Sequence, residues 1–324
     1  MSKNILVPLD GSTFSEHALT AALGIARAGG ARLHLVQVHE VPFMPLAPEA
    51  IVPYDAAWDE TLRGQEQEYL RTMANRVAER AGVIVRTELL EGTVETALAA
   101  YAQESGIDLI VMTTHGRGGL SRWWLGSVAD AVVRRSQIPV LLLRPGEGEP
   151  ELDAEACARH VLVPLDGSDL SRGILGPATW IGSLSRARYT LLAVTLPVPV
   201  ARPPFIVPEA WADGAALQAE RERTRNELDQ VAAAMRAEGR EVETVVVEHM
   251  VPAHAILEHS ATHAVDIIAL ATHGRGGWSR FALGSVADKV LRGALMPVLV
   301  YRPPAHGHES LERHARGEAE TVRT

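Results

Sequence analysis

The sequence has a single cysteine, Cys157, so no disulfide can form within the chain. That usage suits a reducing cytoplasm. No apolar run approaches the ~18–20 residues that cross a bilayer. Met1-Ser2-Lys3-Asn4 leads straight into a strand-like run, where a signal peptide needs a basic start and a longer apolar stretch. No membrane partner is therefore expected. Positive charge is scarce: 31 Lys and Arg face 40 Asp and Glu, for a formal net charge of −9. Proteins that grip long polyanions show a basic face, so nucleic acid is not an expected partner. A small anion needs only local positive potential and stays open. Lysine is nearly absent, at Lys3 and Lys289 only. Neither follows a glycine loop, as the lysine of a Walker A motif must, which argues against P-loop chemistry.

What is present is a duplication. The 324 residues predict about two domains, and the chain compared with itself shows them. Val7-Pro8-Leu9-Asp10-Gly11-Ser12 recurs as Val163-Pro164-Leu165-Asp166-Gly167-Ser168. THGRGGLSRWWLGSVAD at 114–130 recurs as THGRGGWSRFALGSVAD at 272–288, with 14 of 17 positions identical. A repeat of about 150 residues is a domain rather than a solenoid unit. We assign domains to 1–145 and 159–304, an exposed Gly- and acid-rich linker to 146–158, and a polar tail to 305–324.

Within each half, strand and helix patterns alternate. Ile5 to Leu9, Arg32 to His39, Val83 to Leu90, Ile107 to Thr113 and Ile138 to Leu143 read as strands. Between them fall helices at Ala18 to Ile25, about 60–81, about 93–105 and Ser127 to Arg135. Ser12 or Ser15 can cap the first and Gly29-Gly30 ends it. Alternating βα units predict an α/β protein of two doubly wound, open, Rossmann-like sheets of five parallel strands each. The fifth strands, Val140 to Leu143 and Val298 to Tyr301, are apolar and edge-like, and an open apolar edge needs a partner.

In such sheets ligands bind beyond the carboxyl ends of the strands, at the switch in strand order. Two segments reach that edge in each half: Asp10-Gly11-Ser12 (Asp166-Gly167-Ser168) after strand one, and the loop Thr114 to Ser127 (Thr272 to Ser285) after strand four. The second carries Gly116, Gly118, Gly119 and then Gly126-Ser127 opening a helix. Glycines let backbone N–H groups approach phosphate oxygens, and a helix start adds unpaired donors and a favourable dipole. Arg117 and Arg122 add local charge. These residues point to a main-chain phosphate cradle with Asp10 near a sugar or a metal ion. The plainer reading is a glycine turn with Ser127 as a mere helix cap, but a loop that only connects elements has no reason to stand twice. A dinucleotide fingerprint is absent, since Ser121 stands where its third glycine belongs.

VPLDGS after strand one, THGRGG after strand four and LGSVAD opening the next helix together resemble the universal stress protein family, over about 3–144 and 159–303. The resemblance implies a tandem pair of HUP-type domains with strand order 3-2-1-4-5 and, in one subgroup, ATP binding through Gly-x2-Gly-x9-Gly-Ser/Thr. Gly116 and Gly126-Ser127 match the later part of that pattern, as do Gly274 and Gly284-Ser285. Its first glycine falls on Thr113 and Ala271, a departure. The resemblance further implies that Asp10 and Asp166 meet the nucleoside and that backbone at Val38 and Val194 meets adenine. Val128 and Val286 would add N–H groups, beside Arg117, Gly119, Arg275 and Gly277. It also implies that the fifth strands of the two halves pair. A homodimer of the whole chain is left open.

Other candidates carry less. His115 and His273 suit a loop-ordering hydrogen bond better than a general base. His254, His259 and His263 have Thr96, Tyr101 and Ser105 as first-half counterparts, and without a third ligand they suit a solvated face, so no metal site is assigned. Trp123 and Trp124 read as packing residues. Gly92 aligns with Met250 and Val94 with Pro252, so the two sites are expected to differ in affinity. No acid–base pair repeats, catalytic residues are not assigned, and any ATP hydrolysis is expected to be slow. The leading expectation is a cytoplasmic stress-response protein that binds ATP, ADP or AMP and works by nucleotide-dependent ordering. An ATPase or phosphotransferase with Mg²⁺ held by phosphates and Asp10, and an interaction module with empty loops, remain as alternatives.

Overall fold

Strand residues buried on both faces set the frame. The computed structural model describes residues 2–40, 56–115, 125–146, 148–153, 158–197, 214–272 and 283–303. The first half runs β1 (Asn4–Pro8), α1 (Thr13–Glu16), α2 (Ala18–Gly29), β2 (Arg32–His39), α3 (Ala56–Ala81), β3 (Val85–Glu91), α4 (Val94–Glu104), β4 (Leu109–Thr113), α5 (Ser127–Arg135) and β5 (Val140–Leu143). The second repeats it as β6 (His160–Pro164), α6 (Asp169–Arg172), α7 (Leu175–Ser183), β7 (Arg188–Thr195), α8 (Gly214–Ala237), β8 (Val242–Glu248), α9 (Pro252–Thr262), β9 (Ile267–Ala271), α10 (Ser285–Gly293) and β10 (Val298–Tyr301).

Each half is parallel and ordered 3-2-1-4-5, as expected. The fifth strands also pair, as the resemblance implies. β5 and β10 hydrogen-bond antiparallel, which joins the halves into one ten-stranded sheet. Apolar residues on both faces explain this: an unpaired edge of Val140, Leu141 and Leu142 would expose its backbone donors and apolar side chains together. Leu141 lies opposite Leu299, its own counterpart in the repeat. Arg144 donates to the Arg292 carbonyl and Arg302 to the Arg134 carbonyl, each at 2.6 Å. The seam is thus isologous, with the same residues meeting from both sides.

Alternation along the strands splits the core into two layers. Ile5, Val7, Leu33, Leu35 and Val111 face α2 and α3, while Leu6, Val36, Ile110 and Met112 face α4 and α5. Both layers continue across the seam through Leu141 and Leu299 on one side and Leu142 and Val300 on the other. A short helix, α1, precedes the first expected helix, which is α2, and α3 begins at Ala56, earlier than its pattern predicted. Among the described residues of the linker most are exposed, but some pack inward. Pro150 and Leu152 are buried, and Arg27 holds the Leu152 carbonyl at 2.9 Å. Among the described residues no helix is long and apolar enough to cross a membrane.

Candidate functional site

β1 and β6 sit where strand order reverses, so the connections leaving β1 and β4 diverge and open a crevice beyond their carboxyl ends. The antiparallel seam points the strands of the two halves in opposite directions. The two crevices therefore lie on opposite edges of the common sheet.

One wall is the Asp-Gly-Ser turn. Gly11 and Gly167 take φ of 76° and 82°, the left-handed region in which a side chain is strained. That turn brings Asp10 Oδ1 to 2.9 Å from the Ser12 N–H and 2.5 Å from its hydroxyl. Ser12 Oγ accepts in turn from the Ser15 N–H at 3.3 Å and caps α1. Asp166, Ser168 and Ser171 repeat each of these bonds. Asp10 and Asp166 are thus fixed in direction by a local network, and one carboxylate oxygen of each is engaged by the turn.

The other wall follows β4. The Thr114 N–H donates to the Leu143 carbonyl at 2.8 Å, and the Gly126 N–H donates to the Thr114 carbonyl at 2.7 Å. The Thr272 and Gly284 N–H groups do the same at 3.0 and 2.8 Å. Gly126 has no side chain because a Cβ there would lie 3.0 Å from the Thr114 oxygen. Its N–H is already used, so it positions the helix start rather than binding an anion. The donors are the residues after it. α5 and α10 begin at Ser127 and Ser285 behind glycine N-caps, with no side-chain cap hydrogen bond. Helix geometry gives their first N–H groups, at Ser127, Val128, Ser285 and Val286, no partner inside the helix. The acidic residue of that first turn is neutralised, Asp130 by Arg134 at 2.7 Å and Asp288 by Arg292 at 2.9 Å.

The floor of the crevice is β2. The Leu9 N–H donates to the Val36 carbonyl at 2.8 Å. Backbone direction alternates along a strand, so the N–H and C=O of Val38 point the same way, past the end of β1. The Leu165 N–H on the Leu192 carbonyl, also 2.8 Å, places Val194 likewise. Thr113 is buried and its hydroxyl donates to the His115 carbonyl at 2.8 Å. Ala271 ends β9 without such a bond to offer.

His115 Nδ1 lies 3.0 Å from the Thr114 hydroxyl, and Nε2 is buried with no partner among the described residues. Burial and then the Arg144 charge push its pKa down. Both effects favour the neutral ring. Tyr69 reaches toward the Asp10 wall, donates to Glu16 at 3.1 Å, and has its pKa raised by burial and the Glu16 charge. His259 and His263 stack at 3.9 Å near the end of α9, at the amino edge of the sheet and away from the crevice. Gly116, Arg117, Gly119, Arg122, Trp123 and Trp124 lie outside the described residues, as do His273, Gly274, Arg275, Gly277 and Cys157. Sequence reading missed a buried cluster beside the crevice, His39 with Asp59 and Glu66. Only the mismatch of His39 with Thr195 between the repeats signals it.

The model of the universal stress protein family matches residues 1–144 and again 158–302. A universal stress protein of Mycobacterium tuberculosis is 29% identical over 315 residues, covering 92% of this chain and 96% of its own. One from Methanocaldococcus jannaschii is 36% identical over 151 residues, 45% of this chain and 85% of its own. The crystal structure of a universal stress protein from Archaeoglobus fulgidus superposes with a TM-score of 0.66 at 20% identity, over 94% of this chain and 98% of that one.

Proposed function

The chain belongs to the universal stress protein family, and from that premise we propose that each half binds one adenine nucleotide and that occupancy orders the chain in a cytoplasmic stress response. One observation carries the reading: an uncapped helix start, preceded by a glycine pulled against a strand-end carbonyl, occurs at the switch-point crevice in both halves. α1 and α6, by contrast, are capped by their own serines. α2, α4, α7 and α9 also lack a side-chain cap bond, so what marks α5 and α10 is their place at the crevice behind a glycine whose N–H is already used, where open donors suit an anion.

In this reading the N–H groups of Ser127 and Val128, with the Ser127 hydroxyl, hold phosphate oxygens. Asp10 meets the ribose, and the Val38 backbone reads the adenine edge. Ser285, Val286, Asp166 and Val194 do the same in the second half. The nucleotide supplies charge and a phosphoanhydride bond. The chain supplies orientation, and among the described residues no positioned base stands beside the donors, which suits slow turnover. The cradle is main chain, which makes it testable at one atom. Gly126, at φ −60° and ψ 153°, already has the backbone preferred before proline. Ser127→Pro therefore keeps the helix start while deleting one N–H and the hydroxyl; Ser127→Ala deletes only the hydroxyl. We expect calorimetry to show ATP affinity at one site reduced about tenfold or more by Ser127→Pro and less by Ser127→Ala. Equal ATP affinity in wild type and Ser127→Pro overturns the assignment.

A further inference from the structure

We propose that His39 is a positioning residue for the first-half site alone, a proton-operated clamp that ties the start of α3 to the end of β2 and loosens as pH rises. The effect on ligand affinity rests on the nucleotide reading above; the clamp itself does not.

The geometry is a buried relay. His39 Nε2 lies 2.9 Å from Asp59 Oδ1 and Nδ1 lies 2.6 Å from Glu66 Oε2. Arg63 holds the other Asp59 oxygen at 2.8 Å and reaches Glu91 on the neighbouring strand. His39 is 2% exposed and Asp59 4%, so the cluster is shielded from water. A neutral imidazole donates from one nitrogen only. Holding two carboxylates at once requires both ring nitrogens protonated, and losing that proton turns one contact into a lone pair against a carboxylate. Among the described residues the groups facing His39 are Asp59 and Glu66, which favour its cation, and Arg63, which opposes it; Glu91 acts on Arg63. Burial also opposes the cation, but the two carboxylate hydrogen bonds outweigh it and the pKa is raised.

Placement gives the clamp its consequence. His39 follows Val38, whose backbone lines the crevice, and Asp59 lies in the first turn of α3. The His39–Asp59 bond thus ties the first turn of α3 to the carboxyl end of β2, one residue from Val38.

The second half is a built-in control. Strand register pairs His39 with Glu91 and Thr195 with Glu248, so Thr195 stands in the place of His39. Core residues Leu70, Ala74 and Val77 match Leu228, Ala232 and Met235, which puts Leu217 at the position of Asp59 and Thr224 at that of Glu66. The outer pair survives, as Arg221 and Glu248 at 3.9 Å. Only the titrating core differs.

The test is hydrogen exchange on the full chain without ligand from pH 6 to 9, corrected for the intrinsic rate. We expect protection in the first turns of α3 to fall about tenfold over that range, the scale of one charge-assisted hydrogen bond. His39→Gln should remove the pH dependence, and α8 should show none in either protein. A flat profile in wild type, or the same slope in His39→Gln, overturns the clamp. Nitrogen NMR of histidine-labelled wild type needs no variant: a ring protonated on both nitrogens at pH 7 supports it, and a neutral ring overturns it. With ATP added, one of two sites should lose about tenfold affinity across the range while the other stays constant. A pH-dependent clamp in a chain that binds no nucleotide would overturn the affinity effect and the nucleotide reading while sustaining the clamp.

Discussion

At Gly126 the chain has no room for a methyl group. A Cβ would meet the Thr114 carbonyl at 3.0 Å, and that carbonyl is fixed by its own bond to the Gly126 N–H. Gly126→Ala should cost about 1–3 kcal/mol in urea denaturation, the range for overpacking against a rigid neighbour. Gly64, in the exposed middle of α3 with nothing within 4 Å, is the contrasting case. Gly64→Ala should stabilise by about 0.5–1 kcal/mol, because helix formation loses less entropy with alanine. The histidines give a second residue-scale prediction with two signs. Burial lowers the pKa of His34 and His160 below 6.5. Their contribution is complete above pH 6.5 and is lost as pH falls toward their folded values. His39 is raised, so its contribution is complete below 6.5 and lost as pH rises through its folded pKa. Stability measured against pH should decline on both sides of a maximum near neutrality. His39→Gln should flatten the alkaline limb only, and His160→Gln the acid limb only.

Helix ends show what the sequence could and could not convey. The nine-residue helix from Ser127 to Arg135 and the strand from Arg32 to His39 were legible to the residue, because both alternate sharply between apolar and polar positions. The short helix α1 was not, since the apolar spacing of Ala18, Leu19 and Ala22 begins only after His17. Gly126 was legible as a loop glycine but not as a spent donor, because its partner Thr114 is set by the bond from Leu143 across two strands. The His39 cluster joins three residues from different turns and elements, and only one of the repeats has it, so no repeated motif could mark it. Helix C-termini at the seam carry their own test. Arg144 and Arg302 each place a cation on the last turn of a helix in the other half, where the dipole is favourable. Arg144→Met with Arg302→Met should lower stability by about 1–3 kcal/mol in chemical denaturation. An unchanged midpoint would mean that the seam draws nothing from these caps.

Across the whole molecule, duplication and the antiparallel seam set two crevices on opposite edges of one sheet. We propose that this pairing persists in solution, so small-angle scattering should fit one body; two separated beads would contradict it. The halves share the helix starts of α5 and α10 but differ where His39, Asp59 and Glu66 are replaced, so equal folds need not give equal affinities. The most direct measurement is native mass spectrometry of the purified chain titrated with ATP. Two nucleotides per chain, filling in two resolvable steps, are expected. A chain that stays free of nucleotide up to millimolar ATP would contradict it.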